Sequence, residues 1–281
     1  MAPAVWILAW GLVAAGIVCG LLSWGEDVDA AFQIHRAFFW PDVLIAGIYG
    51  PVSAFVLART RHPVGWILAA VAMGFGVSAL GLQYSALGVV HSGLPGHAFV
   101  VQLTAAAWVI GALGALLVLP WTLEWPARSI PVRCAAVLGV LLTAFAFISR
   151  MLVQTPGAPR NPLAPSREVS QWAYAADSWI IPFYFLYALA GAVYLVVRYW
   201  RASAQDRLGL AWVIFSVALV AVSYIAFEVG LSLDGPLLSI AAASLMAAQI
   251  MLAAAVMVLV VRQPRWGDGR RGVAGHGVRV C

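Results

Sequence analysis

The chain has 281 residues, of which 63% are hydrophobic and only 10% are charged, and its formal net charge is +5. A soluble domain carries about 25% charged residues, so this composition excludes an ordinary soluble globular protein. All 16 basic residues are arginine, and membrane topology accounts for most of them, so we expect no nucleic-acid partner.

A helix needs about 20 predominantly apolar residues to cross the hydrocarbon core of a bilayer. We therefore predict an all-α integral membrane bundle of eight transmembrane helices over residues 1–261, followed by a basic cytoplasmic tail, 262–281, without regular structure. We expect the first segment to be a retained helix and not a cleaved signal peptide, because no basic region precedes it. The eight segments lie near 4–24, 41–58, 63–88, 98–120, 134–154, 178–199, 208–230 and 236–261.

The arginines are distributed unevenly between the two sides of this predicted bundle. Twelve of the 16 fall in the tail or in the turns after the second, fourth and sixth segments, and four fall on the opposite side. Because arginine is enriched on the cytoplasmic side, both termini are predicted to be cytoplasmic. We call the arginine-rich side inner and the opposite side outer.

Three sequence features bear on how the segments pack and connect. Pro51 and Pro182 lie within segments, where each removes a backbone donor and can kink its helix. Gly16 and Gly20 form a GxxxG pattern, which permits close approach of two helices. The stretch 155–177 is predicted to be an outer loop, and its last residue belongs to a set of acidic residues on the outer side.

Ionisable residues at membrane depth are candidates for a functional site. Arg150 and Glu228 are predicted at similar depth, near the outer ends of the fifth and seventh segments, so they could pair. Alternatively, each side chain reaches the headgroup layer independently. The first interpretation predicts an outward-facing pocket, completed by Tyr84, Tyr184 and Tyr224, that holds a small amphiphilic ligand or a lipid headgroup.

The sequence does not indicate a metal site, a cofactor or an enzyme. His91 and His97 flank one short outer loop without a third ligand nearby, and the three cysteines form no CxxC pair. The zinc-protease HExxH signature, the GxSxG elbow and the P-loop do not occur in these residues. We therefore assign no catalytic residue and predict no metal ion and no cofactor.

Two stretches resemble the multi-helix membrane sensor region at the N-terminus of histidine kinases from high-G+C bacteria. The first is RTRHPVGWILAAVAMGFGVSALGLQYSALG, residues 59–88, and the second is FYFLYALAGAVYLVVRYWRASAQDRLGLAWVIFSVA, residues 183–218. Matching positions in the two stretches are Arg61, His62, Pro63, Val64, Gly65, Trp66, Tyr84, Asp206, Arg207, Leu210 and Trp212. Residues 94–109 resemble the next loop and helix of the same region, and residues 253–273 resemble its last helix and exit. The resemblance therefore extends from about 40 to 272 and implies a sensor-type module of a bacterial plasma membrane.

Two departures from that family limit what the resemblance implies. The stretch LPWTLEWPARSIP, residues 119–131, lacks the Asp-Gly turn that such kinases carry after their fourth helix. No histidine in these 281 residues precedes an acidic residue, as a phosphoacceptor should, and the sole asparagine, Asn161, lies on the predicted outer side. The parts needed for autophosphorylation are therefore not among these residues.

The residues and the resemblance together predict a membrane-embedded sensory or regulatory module that contains no kinase part. Its expected partners are the lipid bilayer and a separate cytoplasmic kinase or regulator, or a second copy of the chain. A small-molecule transporter or exporter component is the alternative, although no internal inverted repeat is evident. A membrane enzyme acting on lipid substrates is less favoured, because paired carboxylates are lacking.

Overall fold

The described residues of the computed structural model form helices and contain no strand. They comprise residues 2–24, 38–60, 62–91, 93–123, 129–154, 159–233 and 236–262. The predicted basic tail therefore lies almost wholly outside the described residues, as do parts of several connections.

Nine α-helices and one π-helix follow each other along these residues. They are α1 (Ala2–Leu22), α2 (Phe39–Thr60), α3 (Pro63–Val90), α4 (His97–Leu113), π1 (Gly114–Val118), α5 (Leu119–Thr122), α6 (Ile130–Leu152), α7 (Arg167–Arg201), α8 (Ala204–Leu233) and α9 (Pro236–Arg262). Because α4, π1 and α5 run on without a break, eight helices are long and apolar enough to cross a membrane. The predicted all-α bundle with eight such helices is confirmed by this arrangement.

The main difference from the sequence prediction is the start of α7. This helix begins at Arg167, eleven residues before the predicted 178, so half of the predicted outer loop 155–177 is helical. The Ser166 side chain accepts a hydrogen bond from the Val169 amide and so caps the first turn. Because the first turns of α7 are polar, a prediction from apolar content alone sets the start of this helix too late in the sequence.

Helices α3 and α4–π1–α5 form the centre of the bundle, and α1, α6 and α7 lie at its periphery. Of the most apolar window in each helix, 67% and 78% is buried in the two central helices but only 22% in each peripheral one. Small residues allow the central helices to approach closely: a side chain at Gly74 would meet the Ala107 carbonyl oxygen at 2.7 Å. The predicted GxxxG pattern allows α1 to approach α3 closely, since Gly16 packs on the Leu80 backbone.

A buried hydrogen bond joins α2 to α9 near the middle of both helices. The Tyr49 hydroxyl lies 2.8 Å from the Gln249 main-chain oxygen and 2.8 Å from the Gln249 Oε1 atom. Neither side chain is exposed. This contact attaches α9, which also packs on α8, to the first three helices.

The π-helix ends at Val118, two residues before Pro120, which has no backbone N–H and cannot continue a regular α-helical ladder. The Leu119 amide bonds to the Gly114 carbonyl, five residues back, as a π-turn requires. The Leu117 carbonyl oxygen then lies against Gly139 of α6, so closely that a β-carbon there would collide with it. The irregular segment is therefore a contact surface for α6.

Candidate functional site

Arg150 lies in the last turn of α6, and its side chain runs inward from there. The Gln102 amide nitrogen of α4 donates to the Arg150 carbonyl oxygen at 2.7 Å. The Arg150 guanidinium lies over the Trp108 ring, with 4.9 Å between Cζ and the ring centroid. Trp108 follows Gln102 by six residues, which is about 9 Å deeper along the helix. The guanidinium is therefore held inside the bundle and does not extend towards the outer surface.

An acidic residue of α7 balances this buried charge. The Arg150 Nε atom lies 3.2 Å from the Asp177 Oδ2 atom, and the two side chains are only 18% and 13% exposed. Removal of one partner from such a shielded pair leaves the other charge in a poorly solvated environment. The ring of Trp108 adds a cation–π contact to the same guanidinium.

Tyrosines from two helices complete the site. Tyr184 is 2% exposed and interacts electrostatically with Asp177 and Arg150. Tyr224 of α8 is equally buried, and its ring centroid lies 6.0 Å from that of Trp108 and 6.1 Å from that of Phe185. We call this group, which unites α4, α6, α7 and α8, the outer polar cluster; its members are Trp108, Arg150, Asp177, Tyr184 and Tyr224.

Helical geometry explains why α7 supplies two members of the cluster. Asp177 and Tyr184 are seven residues apart, so they lie on one face of the helix two turns apart. Helical side chains lean towards the helix N-terminus, which for Tyr184 is the side of Asp177. The Tyr184 hydroxyl makes no hydrogen bond with any described residue.

A polar loop fixes the outer ends of α6 and α7 relative to each other. The Asn161 amide nitrogen donates to the Met151 and Val153 carbonyls, and its oxygen accepts from the Leu163 amide. The Gln154 amide donates to the Ser170 hydroxyl of α7 at 2.8 Å. Because Asn161 is 2% exposed, these bonds are shielded from water. The loop therefore holds Arg150 and Asp177 in register.

A second cluster, of aromatic residues, joins the α4–π1–α5 helix to α7 nearer the inner end. The Trp121 ring of α5 stacks on Tyr194 at 5.0 Å and contacts Tyr187 at 5.7 Å, both of α7. The Tyr187 hydroxyl donates to the Ala135 carbonyl of α6. We call Trp121, Tyr187 and Tyr194 the inner aromatic cluster.

The predicted site residues fall into three groups. Arg150, Tyr184 and Tyr224 belong to the outer polar cluster. The Tyr84 hydroxyl donates to the Pro95 carbonyl at 2.6 Å, and no contact among the described residues joins it to that cluster. The Glu228 side chain lies outside the described residues, so the proposed Arg150–Glu228 pair stays a prediction.

Sequence reasoning assigned Asp177 to a loop and did not identify Trp108 as a member of the site. One pattern could have corrected the first error. Small or polar residues follow each other at helical spacings of three, four, seven and four positions through Ser170, Ala173, Asp177, Tyr184 and Ala188, and all five face the bundle. Such spacing indicates a helical face that packs against neighbours.

The described residues of the site offer groups for polar recognition. Within the described ranges, no group of three or more His, Cys, Asp or Glu side chains could hold a metal ion. Two cysteines in these ranges, Cys19 and Cys134, are free thiols far from the cluster in sequence. The arrangement of a paired cation, a buried hydroxyl and aromatic rings is suited to binding a polar group.

Comparison with known proteins gave no match: no family model fits the chain, and no curated protein and no solved structure is significantly similar to it.

Proposed function

We propose that this chain is a sensory or regulatory module of a bacterial plasma membrane, with both termini in the cytoplasm. The outer polar cluster receives the input, and helix movement transmits it to a separate cytoplasmic kinase or regulator. The observation that carries the proposal is that one set of helices builds both clusters. Trp108 and Trp121 lie on the α4–π1–α5 helix, and α7 contributes residues to both clusters. Helix α6 supplies Arg150 to the outer cluster and the carbonyl that accepts from Tyr187 of the inner one.

The π-helix between the clusters supports a transmission role. Trp108 and Trp121 are thirteen residues apart, about 20 Å along the axis, and π1 lies between them. Isolated π-turns are frequent at functional sites, and a shift between π and α register rotates one half of a helix against the other. Such a change would move Trp121 against α7 and the Leu117 carbonyl against α6. A helix segment that switched between these two registers would be a two-state element through which one site can influence another.

The resemblance in residues 59–88 and 183–218 supports the choice of function. The second stretch runs from Phe183 in the middle of α7 through the inner turn at residues 202–203 into α8. This turn is stabilised by Arg207, whose Nε atom donates to the Ala202 carbonyl, and by Asp206, which accepts from Ser203. The turn offers a defined inner surface for a partner.

Reactivity of the native Cys134 thiol tests the transmission step. This residue is exposed near the inner end of α6, sixteen residues from Arg150 on the same helix. In a Cys19→Ser, Cys281→Ser background in nanodiscs, Asp177→Asn is expected to change the rate of Cys134 modification by a maleimide several-fold. Arg160→Gln, on the exposed outer loop, is the control and should leave the rate unchanged. Equal rates for Asp177→Asn and the unaltered chain would contradict the proposal.

The partner is tested separately with a photo-crosslinking residue at Ala202 in the inner turn. We expect a cytoplasmic regulator to be captured, and its yield to change with Asp177→Asn but not with Arg160→Gln. A yield that is the same in all three chains would show that the outer polar cluster does not control the inner surface.

A transporter component is the second candidate, favoured by the buried Tyr49–Gln249 contact. Transporter substrates bind near the bilayer midplane, and both residues lie near the middle of their helices. Solute uptake into sealed proteoliposomes separates the two functions. Uptake that is lost in Tyr49→Phe would favour transport over sensing.

A further inference from the structure

A stripe of four residues on α7 lies against the last turn of the α4–π1–α5 helix. The four follow each other at spacings of four, three and four positions, which keeps them on one side of the helix; they are Tyr187, Gly191, Tyr194 and Arg198. The Trp121 ring contacts the first three members. It stacks on Tyr194 and lies near Tyr187, and a β-carbon at Gly191 would be 3.7 Å from the Trp121 Nε1 atom. Arg198 continues the stripe one helical turn further inward.

The polarity of α7 places the Arg198 side chain beside these rings. Side chains four positions apart in a helix are neighbours, so Arg198 lies next to Tyr194. Helical side chains lean towards the helix N-terminus, which for Arg198 is the side of Tyr194 and Trp121. The Arg198 Nη1 atom is shielded from solvent, as expected for a side chain that leans back along the stripe. The rest of the residue is partly exposed, so the site is open to the surface of the bundle.

Two shielded donors at this position have no acceptor among the described residues. They are the Trp121 Nε1 atom and the Arg198 Nη1 atom. The neighbouring Tyr187 hydroxyl, by contrast, donates to a main-chain carbonyl of α6. A shielded donor without an acceptor is unfavourable, and the cost is larger for a charged group. The two donors therefore form a site for an acceptor that the described residues do not supply, and the positive charge of Arg198 favours an anion.

The depth of the site corresponds to the inner headgroup layer of the bilayer. Trp200 lies two residues beyond Arg198 on α7 and is 70% exposed. Tryptophan rings on transmembrane helices concentrate at the level of the headgroups. The cytoplasmic leaflet contains anionic lipids, and basic pockets between helices on that side bind their headgroups. Arginine forms charge-assisted hydrogen bonds with phosphate oxygens, so a lipid phosphate has both the depth and the chemistry of the missing acceptor.

We infer that Trp121 and Arg198 bind the phosphate group of an anionic phospholipid of the inner leaflet. The phosphate oxygens accept from the Trp121 Nε1 atom and from the Arg198 guanidinium. This site is separate from the outer polar cluster, so the inference does not depend on the proposed function. A lipid bound there would contact the inner aromatic cluster directly. Phosphate is the shared chemistry of a lipid headgroup and of the free anion, so both are tested.

Native mass spectrometry of the delipidated full chain measures binding directly. The protein is titrated with dioleoylphosphatidylglycerol, with dioleoylglycerol, which has the same acyl chains but no phosphate, and with inorganic phosphate. We expect the phospholipid to bind about 100-fold more tightly than dioleoylglycerol, because two hydrogen bonds to a charged group contribute about ten-fold each. Inorganic phosphate should not be retained. Equal affinities for the two lipids, or inorganic phosphate that binds as tightly as the phospholipid, would overturn the inference.

Arg198→Gln tests the charged contact and should weaken phosphatidylglycerol binding about ten-fold or more. Arg201→Gln is the matched control, because it removes the same charge from an exposed position three residues further along α7. Affinity for dioleoylglycerol should stay at the wild-type value in both variants, since neither change removes an apolar contact. Equal phosphatidylglycerol affinity in the two variants would show that net charge alone attracts the lipid and would overturn the site.

Trp121→Phe tests the second donor, because it removes the indole N–H and keeps an aromatic ring against Tyr194. It should weaken phosphatidylglycerol binding about ten-fold and leave dioleoylglycerol binding unchanged, a difference that a general distortion of the bundle would not produce. Trp200→Phe, at an exposed tryptophan of the same end, is the control. Equal phosphatidylglycerol affinity in the two variants would overturn the role of Trp121.

Two other acceptors for these donors are tested with the same lipid titration. Glu124 follows Trp121 by three residues and lies outside the described residues. We expect Glu124→Gln to leave phosphatidylglycerol affinity unchanged; a rise of about ten-fold would show that this carboxylate occupies the site. An acidic side chain of a cytoplasmic partner would instead give equal lipid affinity in Arg198→Gln and Arg201→Gln, with the crosslink from Ala202 lost only in Arg198→Gln. Either result would overturn the lipid site.

Discussion

The strength of the Arg150–Asp177 pair can be measured with a double-mutant cycle. At an effective dielectric of about 20, two unit charges at the observed 3.2 Å attract each other by about 5 kcal/mol. Desolvation of both groups opposes this attraction, and partial exposure screens it. We therefore expect a coupling energy of about 2 kcal/mol between Arg150→Gln and Asp177→Asn, within the range measured for close charge pairs.

The assay is unfolding in mixed micelles by increasing SDS, followed by far-ultraviolet circular dichroism. The double variant should lose less stability than the sum of the losses in the two single variants. Each single change leaves one charge without its partner, whereas the double change removes both charges. Arg160→Gln combined with Asp177→Asn is the control cycle, because Arg160 is exposed in the outer loop. Additivity of the Arg150 and Asp177 variants to within about 0.5 kcal/mol would refute the pairing.

Three further predictions use the same SDS titration. Gly139→Ala should lower the free energy of unfolding by about 1–3 kcal/mol, because its methyl group would collide with a π-helix carbonyl. Gly11→Ala is the control and should not destabilise the protein, because a β-carbon there would meet no other atom within 4 Å. Equal effects of the two changes would contradict this packing. Asn161→Ala should cost about 2–3 kcal/mol through its buried loop hydrogen bonds, and a cost near zero would show that the loop does not clamp α6 to α7. Tyr49→Phe should cost about 1 kcal/mol, while Tyr174→Phe, 65% exposed, should cost nothing; equal costs would exclude a stabilising bond to α9.

The number of helices could be predicted from the sequence because it depends on length and apolar content alone. Each of the eight observed helices has at least 21 residues, more than the about 20 that a bilayer requires. Even Pro63 could be placed at the start of α3, where a missing donor costs little. Its neighbour His62 caps the same helix by accepting from the Val64 amide. The sequence analysis does not predict this role, because it interprets the turn by its arginines.

The faces of the helices could not be predicted in the same way. In a soluble protein the buried face is apolar and the exposed face polar, but lipid makes both faces apolar. The sequence pattern therefore does not separate the buried Leu195 from the exposed Val196 next to it. Only small and polar residues at helical spacing indicate contact between helices, as Gly74 and Gly139 do where they meet neighbouring carbonyls.

The start of α7 shows a second limit, with a consequence for the site. Apolar content does not report a helix that continues into a polar environment, so the turns before 178 were assigned to a loop. The sequence prediction consequently groups Asp177 with the acidic residues on the outer side of the bundle. The capping pattern at Ser166 and the seven-residue spacing to Tyr184 both indicate an extended helix, and together they place Asp177 on its buried face.

The direction of the Arg150 side chain follows from the order of the helices. Side chains lean towards the N-terminus of their helix, and α6 runs from the inner to the outer end. Arginine near the C-terminus of such a helix therefore points back into the bundle, whereas the same residue near an N-terminus would reach the surface. The alternative in which Arg150 reaches the lipid headgroups required a side chain that points towards the outer surface. Its guanidinium at Trp108 and Asp177 is thus the conformation that helix polarity favours, and it makes a buried acidic partner necessary.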